Sequence, residues 1–399
     1  MKNKCKLYYD SKVCSGCGAC YSVCPVNAIK MREDEEGFLI PEIDEEKCIH
    51  CKLCEKTCPN NYKVSLCEGT GYYGFQNLNK QALYNSSSGG FFYVLSNWII
   101  NHNGVVCGCV LDEDLNVVHR VTTEIQIIKK MQDSKYVQSD LNNCIKIIMQ
   151  NLKKEKYVAF FGTSCQVAAV KNVMSMLHID TKKLLCIDFF CHGVPSPKVW
   201  RSYIKLYEMD KKCLVKGFRF RNKKYGWGKK SRGTYHLNTV FSTRGVDDCS
   251  LLARMWYSIF FSNLCLRRYC HSCMYASTKK PSDFTMADFW GVEDDYSSSC
   301  DTKFGVSLVI TRNDKAEKVL RELSDCLIFE VDKKKALKKQ GNAFQSSPLN
   351  PNRGTFWHDF NNLSFDLVAK KYFRYDFLHE LRDYLVRILF HLHLRSLYK

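Results

Sequence analysis

One stretch of this chain is written twice. Cys14-Ser15-Gly16-Cys17-Gly18-Ala19-Cys20-Tyr21-Ser22-Val23-Cys24-Pro25 returns as Cys48-Ile49-His50-Cys51-Lys52-Leu53-Cys54-Glu55-Lys56-Thr57-Cys58-Pro59. Both copies read C-x2-C-x2-C-x3-C-P. A sulfur at every third position suits a loop wrapped around a cuboidal metal cluster, and the closing proline stops the loop from running on as helix. A pair of zinc sites would instead call for C-x2-C knuckles rather than runs of four. The chain holds 23 cysteines in 399 residues. Behind Met1-Lys2-Asn3-Lys4-Cys5 there is no apolar signal core. Apolar stretches such as Phe91–Ile100 stop well short of the ~18 residues that a membrane-spanning helix needs. The expectation is a cytoplasmic protein, and in a reducing compartment so many cysteines cannot form a disulfide framework.

The duplicated run resembles the bacterial two-cluster ferredoxins, in which the fourth cysteine of each run ligates the other cluster. That pattern implies one [4Fe–4S] cluster on Cys14, Cys17, Cys20 and Cys58, and a second on Cys48, Cys51, Cys54 and Cys24. Residues 1–66 are therefore read as an α+β ferredoxin-like dicluster domain.

Beyond it the pattern becomes α/β, with 45% hydrophobic and 25% charged residues overall, the composition of a folded chain of two or three domains. Ser86-Ser87-Ser88-Gly89-Gly90 precedes an apolar helical run at 91–100. Strands are expected at 105–111 and 117–122, and helices near 124–131 and 142–154. Tyr157–Phe161 reads as a buried strand, Cys165–Met176 as a helix and Leu184–Phe190 as a second strand. This is a β-α-β unit whose strands should be parallel and adjacent or nearly so. Further strands are expected at 216–221, 234–242 and 306–311, and helices at 197–209, 314–324 and 377–398. Cys107 and Cys109 alternate within a strand pattern and should face opposite sides of the sheet.

The β-α-β reading places Cys165, in the first turn of its helix, and Cys191, after the next strand, at the carboxyl edge of the sheet, where open α/β folds hold their ligands. Cys270-His271-Ser272-Cys273 adds a C-x2-C pair. Together they supply four thiols, enough for a third cluster. Taken alone, the same residues are equally two buried free cysteines and a zinc knuckle.

Gly162-Thr163-Ser164-Cys165-Gln166, Cys191-His192-Gly193-Val194-Pro195-Ser196-Pro197, Cys270-x2-Cys273 and Ser282-Asp283-Phe284-Thr285-x2-Asp288-Phe289-Trp290-Gly291 resemble the coenzyme F420 hydrogenase/dehydrogenase beta-subunit family. The resemblance covers about residues 67–330 in two sections, 67–155 and 156–335, leaving 336–399 as a basic helical tail. Ser164 stands where proline is common. The family resemblance implies an α/β domain holding FAD and a [4Fe–4S] cluster, with cluster ligands falling on Cys165, Cys191, Cys270 and Cys273. It implies a flavin- and iron–sulfur-dependent oxidoreductase that exchanges electrons with a small-molecule acceptor, coenzyme F420 among the candidates. For the flavin, Ser88, Gly89 and Gly90 offer backbone N–H groups at a helix start, suited to a diphosphate, although the same residues make an ordinary N-cap. The family has a similar Gly-Gly element and a pair like Lys135-Tyr136 near its flavin. Gly162 and Thr163 share the sheet edge with Cys165. His192 is the candidate proton donor, against the commoner structural role of a lone histidine.

Charge is unevenly spread. The net +18 gathers in residues 201–280, which carry 18 basic and 4 acidic residues, while 1–66 balance ten against ten. Such a region suits an acidic partner, a ferredoxin or another acidic electron carrier above all. Arg219, Arg221, Tyr225, Trp227 and Arg232 interleave as nucleic-acid binders do, but tandem ferredoxin motifs are those of an electron wire. A non-catalytic relay subunit is the closer alternative. The basic tail also leaves room for peripheral contact with a membrane.

Overall fold

The computed structural model describes residues 7, 10–223, 226–227, 238–243, 246–248 and 251–373. The expected helix at 377–398 lies outside them, as do Lys224, Tyr225, Lys229, Lys230 and Arg232.

The N-terminal unit is a hairpin, β1 (Ile29–Glu33) paired antiparallel with β2 (Leu39–Ile43), and two one-turn helices, Ala19–Val23 and Leu53–Thr57. The repeat in the sequence is thus a repeat in structure, since each helix begins within one cysteine run.

The body is a mixed sheet of eight strands. Its centre is parallel: β4 (Val105–Leu111), β6 (Val158–Phe161), β7 (Leu184–Phe189) and β11 (Phe284–Asp288). Antiparallel strands flank them: β5 (Val117–Thr122) on β4, and β12 (Ser307–Thr311), β3 (Gly71–Asn77) and β13 (Cys326–Glu330) beyond β11. The β-α-β unit is as expected, with β6 and β7 paired directly and in parallel. The mixed α/β class is that read from the sequence. A separate sheet joins β8 (Gly217–Asn222), β9 (Asn238–Thr243) and β10 (Val246–Asp248).

Strand alternation explains the two cores. Val158 and Phe160 of β6 and Leu184 and Cys186 of β7 face helices 144–153 and 164–176. Ala159, Phe161, Leu185 and Ile187 face helix 91–101 on the other side. With a side-chain period of two, every apolar residue of these short strands is buried on one face or the other. Cys107 and Cys109 do not face opposite sides as expected: two residues apart on β4, they share one face, Cys107 in the first of these cores and Cys109 against a neighbouring one, while Val106 and Val110 face the other way.

A third core is aromatic. Trp200, Tyr203 and Tyr207 of helix 197–211 meet Phe218, Phe220 and Trp256. Residues 353–373, read from sequence as part of a tail, are two helices that belong to this core, with Phe356, Val368 and Ala369 fully buried. The reason is their spacing: Phe356-Trp357-Phe360 lies on one helix face and Phe365-Val368-Ala369 on the next.

The ferredoxin-like unit is docked on the body. Asn172 Nδ2 donates to the carbonyls of Thr57 (3.3 Å) and Tyr62 (2.7 Å), and Arg353 forms a two-pronged ion pair with Glu36. Among the described residues no helix is long and apolar enough to cross a membrane.

Candidate functional site

The eight N-terminal cysteines line two separate small cavities. One is walled by Cys14, Cys17, Cys20 and Cys58, the other by Cys24, Cys48, Cys51 and Cys54. The fourth cysteine of each run therefore sits with the first three of the other. Each wall holds four cysteine thiols and neither carboxylate nor imidazole, the soft donor set that iron–sulfur clusters take. Among the described residues, no three His, Cys, Asp or Glu side chains converge as a single ion would require; the sulfurs stand back around a space. Burial pushes the Cys17 and Cys20 thiols well above the ordinary range, and neighbouring thiols add to the effect. Cys51, by contrast, is exposed.

Cys165, Cys191, Cys270 and Cys273 also come together. Burial raises all four thiols, Cys270 to about 12 and Cys273 to about 11, and Cys191, Cys270 and Cys273 are each raised further by Cys165. Their positions follow from local structure. Helix 164–176 opens at the end of β6, with Gln166 Oε1 accepting from the Thr163 N–H at 2.9 Å. Cys191 follows β7 on the same sheet edge. Arg267 N–H donates to Val194 O, which ties the loop after Cys191 to the segment carrying Cys270. Ser164, at the family's usual proline position, donates to the buried Asp188 carboxylate at 2.7 Å.

The order of the three groups is legible in which side chains share space. Cys17 lies close enough to Cys165 to be raised by it, and Tyr269 and Tyr275 each feel both Cys17 and Cys165. On its far side the third group meets a cavity of about 380 Å³ in whose wall Cys191 stands. That volume lies in the range of small-molecule and cofactor sites. Ser88, Gly90, Lys135, Tyr136, Gly162, Thr163 and His192 all line it. Gly90 has a φ of 87°, so its backbone favours glycine, and it opens helix 91–101. Gly89 stands apart: its N–H already donates to Ser307 Oγ at 2.8 Å and its carbonyl accepts from Asn77. Lys135 Nζ donates to the carbonyls of Lys130 (2.6 Å) and Asp133 (2.7 Å). Tyr136 stacks on Phe260 with ring centres 4.6 Å apart.

His192 is engaged at both ring nitrogens, Nε2 with Asn263 Oδ1 at 2.7 Å and Nδ1 with Ser347 Oγ at 3.0 Å, and burial lowers its pKa. That geometry orients an imidazole against the cavity and leaves neither nitrogen free to take or give a proton.

Several wall residues escaped the sequence reading. Arg221 Nη1 pairs with Asp288 at 2.6 Å, both largely buried. Trp227 stacks on Trp290, centres 5.0 Å apart, and donates to Asp288 Oδ1. His119 is buried on β5; its Nε2 reaches the Phe161 carbonyl at 3.0 Å and its Nδ1 has no partner among the described residues. Only the motif carrying Asp288 hinted at this wall. The partner residues come from distant segments and carry no local signature.

The basic region is divided where it is described: Arg201, Lys205, Lys211, Lys212, Lys216, Arg268 and Lys279 are exposed, and four others are internal. Arg221, Lys223, Arg267 and Lys280 are all at most 5% exposed. Lys223 Nζ donates to the carbonyls of Leu83 (2.8 Å), Ser88 (2.6 Å) and Phe304. Arg219 donates to the Tyr84 carbonyl at 2.7 Å. Arg221 and Trp227, read as members of an interleaved surface, are thus spent inside the molecule.

Two family models match the chain. Residues 155–336 match the model for the C-terminal part of the coenzyme F420 hydrogenase/dehydrogenase beta subunit, and residues 13–62 match that of the 4Fe-4S dicluster domain. An uncharacterized ferredoxin of Methanocaldococcus jannaschii is 39% identical over 56 residues, 14% of this chain and 71% of that protein. One of the subunits of the F(420)H(2) dehydrogenase of Methanosarcina mazei is 21% identical over 213 residues, half of this chain and 60% of that protein. A chain of the F420-reducing [NiFe] hydrogenase complex from Methanosarcina barkeri is 16% identical, with a TM-score of 0.45, over 75% of this chain and 94% of that one.

Proposed function

Because the chain belongs to the coenzyme F420 hydrogenase/dehydrogenase beta-subunit family and carries a 4Fe–4S dicluster domain in front of that unit, we propose that it is an iron–sulfur flavoprotein oxidoreductase. Two ferredoxin-type [4Fe–4S] clusters, a third on Cys165, Cys191, Cys270 and Cys273, and FAD in the 380 Å³ cavity would supply one-electron steps and their conversion to a two-electron exchange with coenzyme F420 or another small acceptor. The observation that carries this reading is the sequence of neighbours: Cys17 beside Cys165, and Cys191 belonging at once to the third thiol group and to the cavity wall.

Each part of the chain then has a task. Cys51 brings one edge of its group to the surface, where a ferredoxin or another acidic carrier can approach. Gly90 presents bare backbone at a helix start to a diphosphate. His119 Nδ1, buried and unpartnered, is an acceptor awaiting a donor on the cofactor. Phe260 and Tyr136 offer flat apolar surface, and the closed ring of His192 holds that wall in place.

The test is cofactor content in anaerobically reconstituted protein. The expected result is about 12 iron atoms per chain, from three four-iron clusters, and one non-covalent FAD. Cys165→Ser should hold roughly a third less iron and keep its flavin from being reduced through the ferredoxin-like unit. About 8 iron in the unaltered chain removes the third cluster, and full iron without flavin makes the chain a non-catalytic relay.

A further inference from the structure

Arg267 lies three residues before Cys270, and nothing in the sequence separates it from the other basic residues around it. In the structure it is 0% exposed. Its Nε donates to the carbonyl of Cys14 at 2.7 Å, Nη1 to Gln138 Oε1 at 2.9 Å and Nη2 to the carbonyl of Leu39 at 3.0 Å. The guanidinium also lies over the Phe38 ring, 5.3 Å from its centre. Every one of these acceptors is neutral, and among the described residues no carboxylate pairs with it. The close fit extends to the first cysteine run. Gly16 has a φ of 67°, and a Cβ there would stand 2.4 Å from Gln138 Nε2 and 2.8 Å from Arg267 Nη1.

The backbone of the same residue reaches the other way. Its N–H donates to Val194 O, on the loop after Cys191, and its carbonyl accepts from the Cys270 N–H, both at 2.9 Å. One residue therefore joins the loop of Cys14 and Cys17 to the segments of Cys191 and Cys270. A guanidinium keeps its proton in proteins, and a buried charge without a counter-charge is strongly unfavourable. The negative charge at hand is on sulfur: the guanidinium holds the carbonyl of Cys14, and the backbone of the same residue is bonded to that of Cys270.

We infer that Arg267 is the internal counter-charge shared by the Cys14/Cys17/Cys20/Cys58 group and the Cys165/Cys191/Cys270/Cys273 group, and that it raises the reduction potentials of the clusters they hold without moving that of the Cys24/Cys48/Cys51/Cys54 cluster. The inference rests on the cluster reading above. An electron entering a cluster adds one negative charge, and a fixed cation nearby in a water-poor interior favours that state. The exchange between the two groups moves one electron from one cluster to the other, and no bond is made or broken. Arg267 is a positioning residue in this sense, acting on the clusters through its charge.

The experiment uses the full chain, reconstituted anaerobically, with iron analysis and a redox titration followed by electron paramagnetic resonance. In Arg267→Gln, two of the three midpoint potentials should fall by about 59 mV, a tenfold change in a one-electron equilibrium, while the third stays. Arg267→Lys, which keeps the charge, should remain close to the unaltered protein. Gln138→Glu leaves Arg267 in place and sets a carboxylate against it, so it should lower the same two potentials even where Arg267→Gln does not fold. Unmoved potentials in a fully loaded Gln138→Glu protein overturn the inference. So does an Arg267→Lys protein that falls as far as Arg267→Gln, because the hydrogen-bond fork would then be the cause. An unaltered chain holding about 8 iron removes the third-cluster reading itself, and the iron count alone tells that outcome from the others.

Discussion

Buried on β5, with Nε2 held by the Phe161 carbonyl, His119 is neutral in the folded chain: burial above all, with nearby Lys135 contributing, lowers its pKa to about 4. In the unfolded chain the ordinary value near 6.5 applies. Between these values the unfolded state binds the proton and the folded state does not, so stability falls as pH drops from about 6.5 to 4. Between pH 7 and pH 5 this one group should cost about 2 kcal/mol. Urea unfolding of the cofactor-free chain at the two pH values, compared with His119→Gln, measures it. An equal loss in the variant would assign the acid sensitivity elsewhere. His119 also shows where reading by residue type stops. The eight cysteines of the duplicated run were legible because their spacing is itself the signal, whereas Cys165 and Cys191 were placed by the topology around them. A histidine alternating along a strand has no such mark, and neither do Lys223, Arg267 and Lys280, whose charges suggest a surface that they do not occupy.

Helix 164–176 is the element on which the two units meet. It carries Cys165 at its start and, two turns on, Asn172, whose amide holds the carbonyls of Thr57 and Tyr62. Asn172→Ala removes both hydrogen bonds and takes this partner from the carbonyl of the buried Thr57, at a cost of about 1–3 kcal/mol. The expected phenotype is a lower melting temperature with iron content kept; a melting point equal to that of the unaltered chain would mean that the docking rests elsewhere. Elements of this kind were readable from sequence. The run Val158–Phe161, a turn, a helix and Leu184–Phe189 gave both strands and their parallel pairing, because the connection is local and its handedness and reach leave few alternatives. The same reasoning could not place β3 between β12 and β13, since Gly71–Asn77 pairs with segments more than two hundred residues away. Nor could it foresee that Arg353–Asn362 and Phe365–Phe373 would close the aromatic core around Trp200 and Trp256. Their apolar faces were visible in the sequence, but the surface they cover is assembled from helices 197–211 and 251–261.

For the molecule as a whole, the redistribution of charge alters how a carrier would be met. With Lys223 buried, exposed basic surface includes Lys205, Lys212 and Lys216, on or just after the helix that holds Glu33 through Arg201. If an acidic carrier docks there, its reaction should slow steeply between about 50 and 300 mM salt, as the Debye length falls from roughly 14 to 6 Å. Reduction by a small neutral donor should hardly change. Exchanging the three lysines for glutamate should lower the association rate with cluster content intact, and equal salt sensitivity toward both donors would reduce the patch to ordinary solvated surface. The clasp between Glu36 and Arg353 has a consequence of another kind, in time. The two residues are 317 positions apart, so at about 5–20 residues per second a ribosome delivers the arginine roughly 15–60 s after its glutamate. For that interval the hairpin is unlatched, and the nascent ferredoxin-like unit is open to whatever delivers iron and sulfide before the finished chain closes over it.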